Sequence, residues 1–145
     1  MTMTNKVDEH QKRAGRFALP IRIYYEDTDA GGIVYYANYL KFAERARTEF
    51  LRYIGFDQHS RLESERCGFV VRRLDADYKA SAVLDDLVHV TCEVTAVRGA
   101  CVEIFQQVLR GEEVLAQMNV SVVYVSLSKK RPVRMPVDLI EKLAL

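Results

Sequence analysis

The sequence predicts an α+β domain in which a five-stranded antiparallel sheet packs against one long helix. Three observations predict it. Tyr39, Leu40, Phe42, Ala43, Ala46, Phe50, Tyr53 and Ile54 recur at spacings of three and four, the period of an amphipathic helix. Residues 87–97 alternate instead, with Val88, Val90, Cys92, Val94 and Ala96 on one face and His89, Thr91, Glu93 and Thr95 on the other. The pairs Arg98-Gly99 and Gly111-Glu112 then separate further extended runs, which reads as an antiparallel meander.

Taken in order, residues 1–16 are polar and mixed in charge and are expected to form a mobile tail, ahead of a single domain over 17–145. An apolar, β-branched run at 17–25, with Pro20 at its entry, reads as a first or edge strand. It ends in a turn-rich segment from Glu26 to Gly32. The helix follows for about four turns, and Gly55 is placed as its stop. Ala43 and Ala46 would let its backbone lie close to whatever it packs on. A short polar helix or loop at 57–65 leads to strands at 69–79, 87–97, 100–110 and 114–125. A last helix is expected at 136–143, with Pro136 at its start. One helix on five strands gives a thin core. The sheet's other face carries many Val, Thr and Gln residues, so a partner subunit is expected to add burial.

Composition excludes several classes. A formal net charge of +1 without a basic stripe gives no reason to expect nucleic acid. Apolar runs such as 122–125 fall far short of the ~20 residues of a membrane span. The start holds no apolar stretch resembling a signal peptide, and three cysteines with no close pair argue against a disulfide framework, so a cytoplasmic setting is expected. His10, His59 and His89 lack metal-ligand spacing, and no Ser–His or Cys–His pair is evident, so neither a metal nor another cofactor is expected. The basic run Lys129, Lys130 and Arg131 reads as a solvated loop. Arg72 and Arg73 alternate faces, which would leave one solvated and direct the other to a pocket.

The chemistry is concentrated between Tyr24 and Tyr39. Glu26, Asp27 and Asp29 precede the pair Gly31-Gly32, and the chain then runs straight into the helix. Glycines let backbone amides approach a ligand closely. A helix start offers unpaired N–H groups suited to a developing oxyanion, and a carboxylate beside it can attack a carbonyl or activate water. Asp27 and Asp29 also suit turns and helix caps. A calcium loop fails, because Gly31 and Asn38 stand at its fifth and twelfth ligand positions. A phosphotransfer Asp-x-Asp-x-Thr site fails as well, with Gly31 where threonine is needed.

The run Asp27-Thr28-Asp29-Ala30-Gly31-Gly32-Ile33-Val34-Tyr35-Tyr36-Ala37-Asn38-Tyr39 resembles the signature of the 4-hydroxybenzoyl-CoA thioesterase branch of the hot-dog superfamily. Its continuation from Leu40 to Glu49, with Phe69 to Arg73 and Leu84-Asp85-Asp86, is similar to that branch's Tol-Pal-associated acyl-CoA thioesterases. The resemblance implies a hot-dog fold, with the sheet wrapped around the central helix, and a site between paired subunits in a dimer or often a tetramer. It also implies hydrolysis of an acyl-CoA thioester, with acyl carrier protein as another presenter of the substrate. In that reading Asp29 is the nucleophile or base, the Tyr36 amide polarises the carbonyl, and Tyr25 orients or shields the carboxylate. Gly31, Gly32 and Val34 line the substrate, and Arg98 holds CoA phosphates. Tyr36 stands where many of the Tol-Pal-associated enzymes carry histidine, a change that a backbone donor tolerates and an imidazole role does not. Related enzymes that hydrate or dehydrate acyl thioesters need a histidine, and none lies near these glycines. The competing role is a weakly or non-catalytic protein that binds acyl thioesters or acyl carrier protein near the cell-envelope machinery.

Overall fold

A computed structural model of the chain describes residues 12–13 and 16–144. A two-residue strand β1 (Lys12–Arg13) and β2 (Arg16–Arg22) lead through a 3-10 turn, Tyr25–Asp27, to helix α1 (Asn38–Tyr53). Helix α2 (Gln58–Glu65) and strands β3 (Cys67–Tyr78), β4 (Leu87–Thr91), β5 (Glu93–Arg98), β6 (Cys101–Arg110) and β7 (Glu113–Ser126) follow. A short β8 (Arg131–Pro132) and helix α3 (Val137–Leu143) complete the fold. Of the expected tail, residues 1–11, 14 and 15 lie outside the described residues. Lys12 and Arg13 pair with Phe17 and Arg16, so Arg16 opens β2.

The sheet runs β1-β2-β4-β6-β7-β3, with β5 also on β6 and β8 on β7. Every pairing is antiparallel. β4 and β5 are one arm broken at Cys92, so five principal strands remain, as the sequence predicts. The break has a local cause. Thr91 takes the Gln107 amide on its side-chain Oγ1 at 2.8 Å, and its carbonyl takes the Gln106 side-chain amide at 3.2 Å instead, while the Cys92 amide stays in register with the Phe17 carbonyl on β2 at 3.3 Å. A bulge between Val94 and Ala96 then interrupts the alternation expected over 87–97.

The helix lies in the curl of this sheet, the hot-dog arrangement. Its buried face is Tyr39, Phe42, Ala43, Ala46 and Leu51. It packs on β2, β4 and β6 and shares one core with Val88, Val90, Val102, Val108, Met118 and Val120. Ala43 and Ala46 are fully buried, and the small side chains admit the Gln106 amide to the Ala43 carbonyl at 3.0 Å. The helix closes as the sequence predicts. Gly55 has φ +89°, and the Gly55 and Phe56 amides return to the Arg52 and Leu51 carbonyls at 3.0 and 2.8 Å. That double reversal satisfies carbonyls at the helix end and favours glycine at its left-handed residue. Truncating a ring such as Phe42, 1% exposed, would cost about 3–5 kcal/mol.

β3 pairs along one side only, with β7, and forms the far edge of the sheet. A bulge between Val71 and Arg73 leaves both Arg72 and Arg73 exposed, rather than one of them in a pocket. Val70 and Val71 on the same edge are 44% and 51% exposed.

Candidate functional site

The Asp29 loop is built from short-range hydrogen bonds. The Asp27 carboxylate takes the Tyr24 amide at 2.9 Å and so organises the 3-10 turn, the ordinary role of an aspartate before a helix. The carbonyl of Asp27 takes the Tyr35 amide at 3.1 Å and the Asn38 side-chain amide at 2.8 Å, which ties the loop to the first residue of α1. Asp29 sits at the bend between these anchors. Its amide donates to the Ile33 carbonyl at 2.8 Å, its carbonyl takes the Gly32 amide at 3.0 Å, and its Oδ1 takes the Gly31 amide at 2.8 Å. The carboxylate is thus oriented by its own turn and still exposed, with no cation or second acidic group paired to it among the described residues.

Both glycines have a physical reason. A Cβ at Gly31 would stand 3.2 Å from Asp29 Oδ1, and Gly32 has φ +81°, where L side chains are strained. Tyr36 lies one residue before the N-cap Ala37 of α1. The Tyr35 amide is spent on Asp27, and the Asn38, Tyr39 and Leu40 amides donate to Tyr35, Tyr36 and Ala37. Tyr36 and Ala37 thereby keep amides without an acceptor among the described residues, as expected of a helix start. The Tyr36 ring is 59% exposed and meets Tyr35 and Tyr78 at 4.9 and 5.8 Å between centroids.

The loop docks on the turn before β4. Ile33 bridges to Val83, the Val34 amide donates to Ala82 O at 3.0 Å, and the Ala82 amide donates to the Tyr39 hydroxyl at 2.9 Å. That turn is fastened by Asp86, whose Oδ2 takes the Val83 amide at 2.9 Å and Arg110 Nη1 at 2.7 Å. Burial pushes the Asp86 carboxyl up, but the Val83 amide and Arg110 outweigh it and hold it below the usual carboxylate range. Asn38, Tyr39, Asp86 and Arg110 therefore support the loop. None was singled out for this from sequence, since Arg110 and Asp86 meet from 24 positions apart and Ala82 and Tyr39 from 43.

The family model of the thioesterase-like superfamily matches residues 24–143. An acyl-CoA thioesterase YbgC from Haemophilus influenzae is 47% identical over 85% of this chain and 90% of its own length. An acyl-CoA thioester hydrolase YbgC from Escherichia coli is 43% identical over 86% and 92%. The chain belongs to this thioesterase-like superfamily, in its YbgC group. The crystal structure of a probable thioesterase from Bartonella henselae shares the fold, with a TM-score of 0.74 at 33% identity, covering 83% of this chain and 98% of that one.

On this thioesterase-like frame the residues singled out from sequence divide. Asp29, Gly31 and Gly32 share one turn, and the Tyr36 amide lies in the next turn of the same loop, at the start of α1. Tyr25 is close in the chain, but its ring is 82% exposed, and its carbonyl takes the Thr28 amide and hydroxyl at 3.1 and 2.7 Å. Val34 turns its side chain into the core, 3% exposed, so that side chain lines no open surface. Arg98 ends the β4–β5 arm whose beginning, Leu87, pairs with Arg22 next to the loop. At ~3.3 Å per residue the arm places Arg98 roughly 30 Å away. There Arg98 and Arg72 stand near Glu103, whose carboxyl is held low, chiefly by the Ser121 hydroxyl. A single chain therefore does not bring Arg98 and Asp29 together.

Among the described residues, no group of three or more His, Cys, Asp or Glu is placed to hold a metal ion. His59 pairs with Glu63 at 3.1 Å on the exposed face of α2, and His10 lies outside the described residues. No helix of the described residues is long and apolar enough to cross a membrane.

Proposed function

We propose that the chain hydrolyses acyl-CoA thioesters, with Asp29 driving the chemistry and the Tyr36 amide as oxyanion donor. The observation that carries this reading is the loop that joins the Asp29 turn to the start of α1, closed by the Tyr35 amide on the Asp27 carbonyl. It offers an exposed carboxylate, oriented by the Gly31 amide, and the unspent amides of Tyr36 and Ala37 at the helix start that follows. A thioester carbonyl held by such an amide gains stabilisation as its oxygen becomes anionic. Asp29 acts as base on water or as nucleophile through an acyl-aspartyl anhydride. Either way a C–O bond forms at the carbonyl, the C–S bond breaks, and the CoA thiolate takes up a proton. In the second route water then opens the anhydride, releasing the acid and restoring Asp29. Label found in Asp29 after a single turnover in 18O-labelled water identifies that route with attack at the aspartyl carbonyl. Trapping of the acyl-enzyme by hydroxylamine detects it when attack falls on the acyl carbonyl.

The working unit is a homodimer or a tetramer built from it, in the cytoplasm, where three free thiols are at home. The β3 edge supports the pairing. An antiparallel β3–β3 ladder centred on Leu74 sets Arg73 across from Asp75 twice and covers Val70 and Val71. Arg98 then meets substrate only from another copy.

The test is thiol release from short, long and aromatic acyl-CoA esters, wild type beside Asp29→Asn. Turnover lost in the variant supports the reading. Release from acyl carrier protein alone would change the presenter, and binding without release would favour the non-catalytic role.

A further inference from the structure

Between α1 and the β3 edge lies a cavity of about 150 Å³, walled by Leu51, Phe69, Val71, Val102 and Val122, with Arg47 on its helix side. Gln106, fully buried, donates its side-chain amide to the Ala43 and Thr91 carbonyls at 3.0 and 3.2 Å. Its oxygen accepts Arg47 Nη1 at 3.0 Å. A guanidinium carries five N–H donors, and this is the one side-chain hydrogen bond that Arg47 makes among the described residues. No described carboxylate reaches it as an ion pair. Glu44, a turn earlier, also borders the cavity but is exposed. Burial lowers the Arg47 pKa, and the opposing pull of Cys92 and Glu44 offsets it only in part. An apolar cavity with such a cation in its wall is complementary to a small molecule that is apolar along its length and anionic at its tip.

We infer that this cavity receives the far end of the acyl group and that Arg47 selects acyl chains ending in a carboxylate. The inference rests on the thioesterase reading and on the β3 ladder, which carries each copy's Tyr78 to the Phe69–Val71 rim of the other's cavity. Tyr78 packs on Tyr36 beside the Asp29 loop, so the cavity of one subunit opens toward the carboxylate of its partner. A cavity of about 150 Å³ holds roughly a benzene ring's worth of atoms. The part of a glutaryl group beyond its thioester carbonyl is of that size.

The experiment compares kcat/KM for glutaryl-CoA and pentanoyl-CoA, chains of equal carbon count that differ in the terminal group. Wild type is expected to favour glutaryl-CoA by about tenfold or more, the least that a charge-assisted hydrogen bond confers. Arg47→Met should bring the ratio to one or below, Arg47→Lys should retain part of it, and Glu44→Gln should raise it. A wild-type ratio near one overturns the inference, whether or not Arg47→Met folds, and leaves the thioesterase reading standing. A ratio unmoved in a folded Arg47→Met also overturns it. Thiol release from no ester defeats the thioesterase reading instead. Titration with glutarate and pentanoate then decides the site: glutarate binding lost in Arg47→Met and partly kept in Arg47→Lys sustains it, and equal or absent binding of the two acids overturns it.

Discussion

The Asp29 loop and the Arg47–Gln106 centre both place a charged side chain beside α1, by opposite means. Asp29 is exposed and held by amides within four residues of itself, so the loop makes its own geometry. Arg47 is partly buried and held by a residue 59 positions away, itself bonded to helix and sheet. Water solvates the first carboxylate, so losing it costs the fold little. The second centre is desolvated, and an unmatched group there costs the fold directly. The bond-making chemistry is thereby kept in the exposed loop, while the second centre joins the structural bonds of Gln106 to the terminal-carboxylate selection inferred for Arg47.

The sharpest way to break that division is Gln106→Leu. It strips Arg47 of its acceptor and two buried carbonyls of a donor, and should cost about 3 kcal/mol, read as a lower urea midpoint at unchanged slope. Gly31→Ala probes the other side. Its Cβ would crowd Asp29 Oδ1 at 3.2 Å, so kcat should fall about tenfold through a misplaced carboxylate while stability moves by less than about 0.5 kcal/mol. Asp86→Asn tests the platform under the loop and should cost about 1 kcal/mol near neutral pH. The Asp86 carboxyl is depressed in the folded chain, so its stabilisation is full above the unfolded carboxylate range of about 4 and is lost as pH falls through the lower folded value. Wild type should therefore lose stability on acidification below about pH 4 more steeply than Asp86→Asn, as denaturation midpoints across pH would show.

The helix was readable from sequence because its face repeats with the helical period and Gly55 sits where the left-handed cap requires it. The Asp29 turn was readable because its bonds are local: carboxylate, glycine and helix start follow one another in the chain. What sequence did not yield is set by long-range packing. The break at Cys92 depends on the Thr91 hydroxyl replacing a backbone acceptor for Gln107, which alternation cannot foretell. The bulge at Arg72 depends on register against β7. Val34 reads as part of the loop, yet its side chain belongs to the core because Ala82 captures its amide. Arg98 and Asp29 stand at opposite ends of one arm, a separation that a motif cannot express. Nothing in the sequence separates Gln106 from the other polar strand residues; the sheet buries it under the helix, against the Ala43 carbonyl.

The central claim, that Asp29 supplies chemistry rather than structure, is tested by measuring thiol release and thermal unfolding on the same Asp29→Asn preparation. Turnover roughly a thousandfold lower, with the melting transition unmoved, is the predicted result. Undiminished turnover, or turnover lost only because the variant unfolds, would contradict it.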